Sequence, residues 1–293
     1  MKKTFLLLLL SFVIIGAGAQ RKKSPAVQKP KEPIQKVTSE GLKLYKSLLP
    51  ATAKVMFIDS VVVDKDDFLK HVPLGKEAGK LMTKNPKADI ANQMGSYENE
   101  LGLLKVYADG DSANSVLYTQ TKLGDEWGQG TRVSDFNSQM YMNQNFPFLA
   151  SDGVTLYFSA DGNESMGGRD IFMSSFDSDK ASWYKPQNVG LPFNSTANDY
   201  LLAIDDLDSL GWLVTDRRQP AGKVCVYTFV PTEKRQNFND DDFDDEELGR
   251  FARLLSIKQT WHFGNRNAAM KRLQNLIKRN AAKESNGGGN AMC

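Results

Sequence analysis

The chain has 293 residues, and its 37 lysines and arginines nearly balance its 35 acidic residues, which leaves a formal net charge of +2. Without residues 1–20, which carry two lysines and no acid, that charge would be zero. A neutral chain is not drawn towards polyanions, so the composition argues against a nucleic-acid partner.

The first twenty residues follow the charged, apolar and small-residue order of a secretory signal peptide. Lys2 and Lys3 begin the chain, residues 5–15 are almost entirely apolar, and the small residues 16–19 precede Gln20. The apolar run is shorter than the roughly 20 residues that span a bilayer, which argues against a retained membrane anchor. We predict removal of the signal peptide, 1–20, and a location in the periplasm or at the outer membrane.

A disordered linker, 21–38, and an N-terminal segment, 39–96, are predicted next. The linker is rich in lysine, proline and glutamine and contains no aromatic residue, a composition that cannot bury a core. Residues 39–49 predict a short helix that ends before Pro50. The β-branched and aromatic residues of 54–63 predict one or two strands, and 64–96 is a mixed polar segment.

Residues 97–230 contain a repeated pattern of strands. In the central copy, 146–161 predicts two strands joined by Asp152 and Gly153, because this pair supplies the positive φ of a tight hairpin turn. A glycine-rich turn, a third strand at 171–176 and Trp183 follow. The segments that repeat this order are 103–109, 116–121 and 124–127 upstream and 200–204, 211–216 and 224–229 downstream.

The repeat has a steady period. The spacing is 56 residues from Trp127 to Trp183, 57 from Asn137 to Asn194 and 55 from Asp161 to Asp216. Three or four strands in such a period are typical of a β-propeller blade.

The central copy also resembles a known family. Its segments 148–161, 167–172 and 183–190 resemble the WD-repeat-like blades of TolB-type β-propeller proteins of the bacterial, Bacteroidetes-type cell envelope. The resemblance covers about 97–230; the first and third copies are degenerate, with 205–210 in place of the Ser-Asp-Gly turn. It implies an envelope protein that works through protein–protein contacts or through peptidoglycan recognition.

The predicted fold is therefore mainly β, a partial or small β-propeller of about three to four blades with a helical C-terminal appendage. Closed propellers usually need at least four blades. The strands of 54–63 would complete a fourth, smaller blade, or the array would stay open with its edges covered by the C-terminal helices.

The remainder is predicted as an acidic linker with C-terminal helices, 231–282, and a flexible tail, 283–293. Acidic residues at 240–247 precede apolar residues at helical spacing, and a second helical face is flanked by Lys271, Arg272, Lys278 and Arg279. Acids at the start and bases at the end suit the helix dipole. The first interpretation is that the apolar face caps the blades; the alternative is that the basic strip docks on a partner or on anionic lipid.

Several polar groups resemble binding sites, but the pattern of each favours a structural role. The acidic run lacks the ligand spacing and the turn glycine of a calcium loop. The turn Gly167–Asp170 is interpreted as a blade turn that Asp170 ties together, rather than as a glycan- or anion-binding loop. Trp127 and Trp183 keep the repeat period, which favours packing over sugar stacking.

Catalytic groups are equally sparse. Arg217 and Arg218 are adjacent and would point to opposite faces of a strand, so they would not form the arginine cluster of a sialidase. His71 and His262 lie outside the repeats. Cys225 and Cys293 are interpreted as free thiols, and with two histidines they form no zinc cluster. We predict no catalytic, cofactor-binding or metal-binding residue.

The sequence favours a non-catalytic periplasmic or envelope scaffold that binds another protein through its repeats. The alternative is a carbohydrate- or peptidoglycan-recognition module, with a hydrolase as the third class. Residues 245–282 are the predicted partner-specific element, because they lie outside the repeats.

Overall fold

The protein is represented by a computed structural model, which describes residues 38–238 and 243–287. The signal peptide, nearly all of the linker, most of the predicted tail and part of the acidic run lie outside these residues. The contacts divide the chain into Met1–Lys31 and Glu32–Cys293, and every described residue belongs to the second unit. Within that unit the fold is mainly β, with three antiparallel sheets and a long C-terminal helix.

The first sheet has the strand order β2-β3-β4-β5-β6, and β7 also pairs with β5. Its strands are β2 Lys80–Thr83, β3 Gly95–Glu98, β4 Leu104–Asp109, β5 Val116–Leu123, β6 Glu126–Trp127 and β7 Thr131–Arg132. The polar segment predicted for 64–96 thus contains β2 and the start of β3. These strands are short and their hydrophobic pattern is weak, so local sequence did not predict them.

The second sheet has the order β8-β9-β10-β11, and β12 also pairs with β10. Its strands are β8 Met142–Leu149, β9 Thr155–Asp161, β10 Asp170–Asp177, β11 Ser182–Trp183 and β12 Gln187–Asn188. The predicted hairpin is confirmed: Gly153 has a φ of 70°, and Asp152 Oδ1 accepts hydrogen bonds from Val154 N and Thr155 N at 2.9 and 2.8 Å.

The third sheet has the order β1-β15-β14-β13. Its strands are β1 Met56–Asp64, β13 Asp199–Asp205, β14 Leu210–Thr215 and β15 Lys223–Val230. The prediction that 54–63 forms a strand is confirmed. Its suggested place in a fourth blade was wrong, because β1 pairs antiparallel with β15 in the third sheet. The pairs run from Met56 opposite Val230 to Asp64 opposite Lys223, with one register shift between Phe57 and Asp59.

Helices precede and follow the three sheets in the chain. They are α1 Ser39–Leu48, α2 Asp245–Ala252 and α3 Arg266–Gly287, with short 3-10 turns at Leu49–Ala51, Phe68–His71, Lys76–Ala78, Ile90–Asn92 and Ile257–Phe263. Helix α1 begins where Thr38 Oγ1 accepts a hydrogen bond from Gly41 N. Helix α3 continues into residues 283–287, which were predicted as tail, and Lys283 and Glu284 there are good helix formers. Within the described part of the chain, no helix combines the length and the apolar character needed to cross a membrane.

The sheets pack in chain order. Tyr97 of the first sheet contacts Phe148 of the second, with ring centroids 5.1 Å apart. Ile171 of the second sheet shares a buried cluster with Leu213 and Phe229 of the third. Helix α3 packs on the remaining face of the third sheet. The strand pairs of the described residues do not join the sheets into a closed barrel.

Candidate functional site

The glycine-rich turn before β10 is held by Asp170, as the sequence predicted. The carboxylate of Asp170 is fully buried and accepts hydrogen bonds from Met166 N at 2.9 Å, Gly167 N at 3.4 Å and Asn188 Nδ2 at 2.7 Å. Burial and the charge of Asp199 raise the pKa of Asp170 to about 8, although these hydrogen bonds oppose the shift. The turn is therefore tied by internal bonds.

Arg169 turns inward from the same segment. Its guanidinium donates to Asn143 O and to Ser159 Oγ and lies 3.9 Å from an oxygen of Asp161. Burial lowers the pKa of Arg169. The side chain is engaged inside the fold, which supports the structural interpretation of this turn.

The two adjacent arginines do not lie in a strand, and this expectation was wrong because β14 ends at Thr215. Arg217 is buried and donates to Asp199 Oδ1 and to Pro192 O, both at 2.8 Å. Arg218 instead donates to Leu254 O just beyond α2. The two side chains diverge because a turn, rather than strand alternation, directs them.

The histidines, the cysteines and the acidic run lie in separate parts of the fold and do not form a common site within the described residues. His71 and His262 are both exposed, in different 3-10 turns. Cys225 is a buried free thiol whose pKa is raised by burial, and Cys293 lies outside the described residues. At the acidic run, Asp244 Oδ1 accepts from Glu247 N at 2.8 Å and so caps α2.

The C-terminal helices offer less free surface than the sequence suggested. Ala269, Leu273 and Leu276 of α3 are buried against the third sheet. Two members of the predicted basic strip are engaged, since Arg272 Nε donates to Asp208 O at 2.9 Å and Arg279 forms an ion pair with the Asp208 carboxylate. The apolar face of α3 therefore caps the sheets.

The two tryptophans occupy equivalent strands but different surroundings. Trp183 on β11 packs with Phe176 and Phe136, at centroid distances of 5.1 and 5.9 Å. Trp127 on β6 has the ammonium group of Lys105 over its ring, 4.1 Å from the centroid. Packing explains the position of Trp183, whereas Trp127 lies on a surface that was not predicted from the sequence.

That surface is the side of the first sheet that faces away from the second, which we call the outer face. Successive side chains of a strand point to opposite sides. In β4 and β5 the side chains of Val106, Ala108 and Leu117 are buried towards the second sheet. The intervening residues therefore point to the outer face.

Aromatic side chains form the centre of the outer face. Tyr107 and Tyr118 are directly opposite each other across β4 and β5, and their rings stack with centroids 5.5 Å apart and an interplanar angle of 18°. Trp127 lies opposite Lys122 on the same side. All three aromatic residues remain partly exposed. Partial burial and the charge of Asp109 raise the pKa of Tyr107, so its hydroxyl stays protonated at neutral pH.

Basic residues surround these rings. The strand register and the ion pairs place Lys80, Lys84, Lys105, Lys122 and Arg132 on the outer face, together with the acidic residues Glu98 and Asp109. Lys84 pairs with Asp109 at 3.2 Å and Lys105 approaches Glu98 at 4.0 Å. The face therefore carries an excess of positive charge.

A signal for this face was present in the sequence. Lys105, Tyr107 and Asp109 alternate with buried residues in one strand, and Tyr118, Gln120 and Lys122 do so in the next. Alternation of polar or aromatic residues with buried ones indicates that one side of the sheet faces away from the core. Only the pairing of the two strands shows that both sets share one surface.

Comparisons of the chain with protein-family models, with curated proteins and with solved structures found no match.

Proposed function

We propose that this chain is a non-catalytic adaptor of the cell envelope and that an acidic surface of a partner protein docks on the outer face. The observation that carries this proposal is the partly exposed cluster of Tyr107, Tyr118 and Trp127 within a basic surround. Tyrosine, tryptophan and arginine are the residues most enriched at the energetic centres of protein interfaces.

The packing of the three sheets supports the choice of this face. The second sheet is covered by its two neighbours, and the third is covered by the second sheet and by α3. The first sheet makes its main contact with another sheet through β8 alone. Its outer face is where a further sheet or a partner would pack.

The charge of the outer face selects the partner. Lysines and an arginine outnumber the acidic groups, so an acidic protein surface would be attracted and a basic one repelled. The phenol hydroxyls and the indole N–H supply polar contacts beside apolar rings.

We extend the proposal to the architecture and the location. The three sheets act as blade-like repeats, which agrees with the period of the sequence and with β1 completing the last sheet. Export is supported by the residue order of 1–20. N-terminal sequencing of the native protein should find a start near Gln20 or Arg21, and an intact Met1 on cytoplasmic protein would contradict export.

Paired charge reversals test the docking face. Lys122→Glu with Arg132→Glu changes the outer face, whereas Lys271→Glu with Lys278→Glu changes exposed positions of α3. Each protein is cross-linked in envelope preparations and its partners are quantified by mass spectrometry. We expect an acid-rich partner that the outer-face variant loses and the α3 variant keeps. Its binding should weaken as salt is raised.

The opposite pattern would overturn this proposal, because loss of the partner only in the α3 variant would place the docking site on the helix. Pelleting with isolated peptidoglycan that depends on Trp127 would favour glycan recognition instead. Reproducible turnover of glycan, peptide or ester substrates that one acidic substitution removes would contradict the adaptor role.

A further inference from the structure

A large cavity lies on the opposite part of the fold, away from the outer face. It has a volume of about 830 Å³ and is bounded by α1, the loop 195–198, the turn 216–223 and the end of α2. This volume is within the range of sites that hold small organic ligands. Its walls combine apolar side chains, among them Leu42, Tyr45 and Leu255, with a group of charged ones.

The charged residues at the walls are Lys65, Asp216, Arg217, Arg218, Lys223 and Arg253. Bases therefore predominate. Two of them have acidic partners just outside the walls, since Arg217 pairs with Asp199 at 2.8 Å and Lys223 pairs with Asp64 at 2.7 Å. Counting these partners, positive charge still exceeds negative charge around the cavity.

The one acid at the walls is already engaged. Asp216 accepts from Lys65 Nζ, Asn198 Nδ2 and Tyr200 Oη, each at 2.9 Å. Burial alone would raise the pKa of Asp216, but the hydrogen bonds from Asn198 and Lys65 outweigh it and lower that pKa. Asp216 therefore serves to position Lys65 and Tyr200 and does not attract a cationic ligand.

Arg218 has the geometry of a side chain prepared for a ligand. Its φ is 57°, a left-handed conformation that costs a non-glycine residue free energy and is concentrated at binding sites. One terminal nitrogen donates to Leu254 O. Its Nε is buried and has no hydrogen-bond partner among the described residues. A buried N–H of a charged group without an acceptor is costly, and a shift of this side chain towards a ligand oxygen in the cavity would remove that cost.

We propose that this cavity binds a small organic anion, a carboxylate or phosphate joined to an apolar group. Arg218 binds the anionic oxygens, Arg253 and Lys223 add positive potential, and Leu42, Tyr45 and Leu255 contact the apolar part. An arginine fork suits both carboxylate and phosphate. This site is separate from the outer face, so its test is independent of the adaptor proposal.

Calorimetric titration with three probes of similar size tests the proposal. Benzoate and phenyl phosphate carry the two anionic groups, and benzamide is the neutral comparison. We expect the anions to bind about tenfold or more tightly than benzamide, the effect of one charged hydrogen bond. The tighter of the two anions then identifies the preferred head group. Equal binding of benzamide and benzoate, or no binding of either anion up to about 10 mM, would overturn the proposal.

Variants locate the binding. Arg218→Gln should weaken benzoate binding about tenfold, and Arg132→Gln on the outer face should leave it unchanged. Circular dichroism establishes whether each variant is folded. If Arg218→Gln does not fold, benzoate binding is measured with Lys223→Gln and Arg253→Gln, which should also weaken it. Wild-type affinity for benzoate in every folded cavity variant would refute the assignment.

Discussion

At the scale of single residues, the period of the sequence and the local environment carry different information. Trp127 and Trp183 are 56 residues apart and sit on corresponding short strands. Trp183 contacts two phenylalanine rings, whereas the ammonium group of Lys105 lies over the ring of Trp127. We therefore expect the two equivalent tryptophans to contribute differently to the free energy of unfolding.

Trp183→Ala and Trp127→Ala form a matched pair. Complete burial of a large aromatic is worth about 3–5 kcal/mol. Because Trp183 is only partly buried, we expect Trp183→Ala to lower the free energy of unfolding by about 2 kcal/mol. Trp127→Ala should cost less than about 1 kcal/mol, the usual value of an exposed cation–π contact. Urea denaturation measures both, and equal losses would contradict the assigned environments.

Asp170 predicts a dependence of stability on pH. Its pKa is raised to about 8 from an ordinary value of 3.8, so the folded protein holds this proton more tightly than the unfolded chain. Its contribution is fully present below about pH 4 and is lost as pH rises towards about 8. Asp170→Asn removes this titration. Between about pH 5 and 8, its stability relative to the wild type should therefore improve in urea titrations. Parallel pH profiles would show that Asp170 is ionised throughout.

At the scale of elements, α3 shows why an amphipathic pattern does not identify what its apolar face contacts. The apolar face was predicted both to cap the blades and to lie in the partner-specific region. It packs on the third sheet, in the cluster that contains Trp212. The engaged arginines at Asp208 strengthen that attachment. The helix is thus part of the fold.

Leu276→Ala and Lys278→Ala separate the buried and exposed sides of α3. Leu276 is completely buried, so its truncation should lower the free energy of unfolding by about 2–4 kcal/mol. Lys278 is exposed, and its truncation should change stability by less than about 0.5 kcal/mol. Thermal and chemical denaturation provide the measurement. A Leu276→Ala protein as stable as the wild type would mean that α3 is detached in solution.

At the scale of the whole molecule, the decisive contact joins the two ends of the described chain. Strand β1 follows α1, yet it pairs with β15 near the C-terminal helices. The free edge of β1 at Phe57 is covered by Thr260 and Trp261 from the last 3-10 turn. This arrangement protects part of the edge strand from pairing with other chains.

A new cysteine tests the register of β1 against β15. Val62 lies opposite Cys225. Lys65 N donates to Gly222 O, so Lys65 and Gly222 form a hydrogen-bonded pair of the ladder. Hydrogen-bonded and non-hydrogen-bonded pairs alternate along an antiparallel ladder. Val62 and Cys225, three positions further on, are therefore a non-hydrogen-bonded pair. The Cα atoms of such pairs are about 4.5 Å apart, within disulfide range. Val62→Cys in a Cys293→Ser background should therefore form a disulfide on mild oxidation and stabilise the fold by about 4 kcal/mol.

Val61→Cys is the control for that cross-link. Val61 lies opposite Val226, and its side chain points to the other side of the sheet. The Val61→Cys protein should keep the new thiol and the thiol of Cys225 both free, as counted by alkylation and mass spectrometry. Cross-linking of Val61→Cys in place of Val62→Cys would shift the register by one residue.

The sequence by itself determined the local elements of this protein. Thr38 and Pro50 delimit α1, Asp152 and Gly153 form the hairpin turn, and the strand segments of 103–229 recur in the predicted order, because caps, turns and alternation act over a few residues. The role of Asp170 in its turn was predictable for the same reason.

Only the tertiary structure decided which strands and surfaces meet. Several valine-rich strands could pair with 54–63, and no local signal selects β15. The outer face exists because β4 and β5 pair in one register, and the cavity exists because α1, α2 and two turns converge on Arg218. These features depend on contacts between residues far apart in the chain, whose free energy is set by the packing of the whole sheet array and not by any single segment.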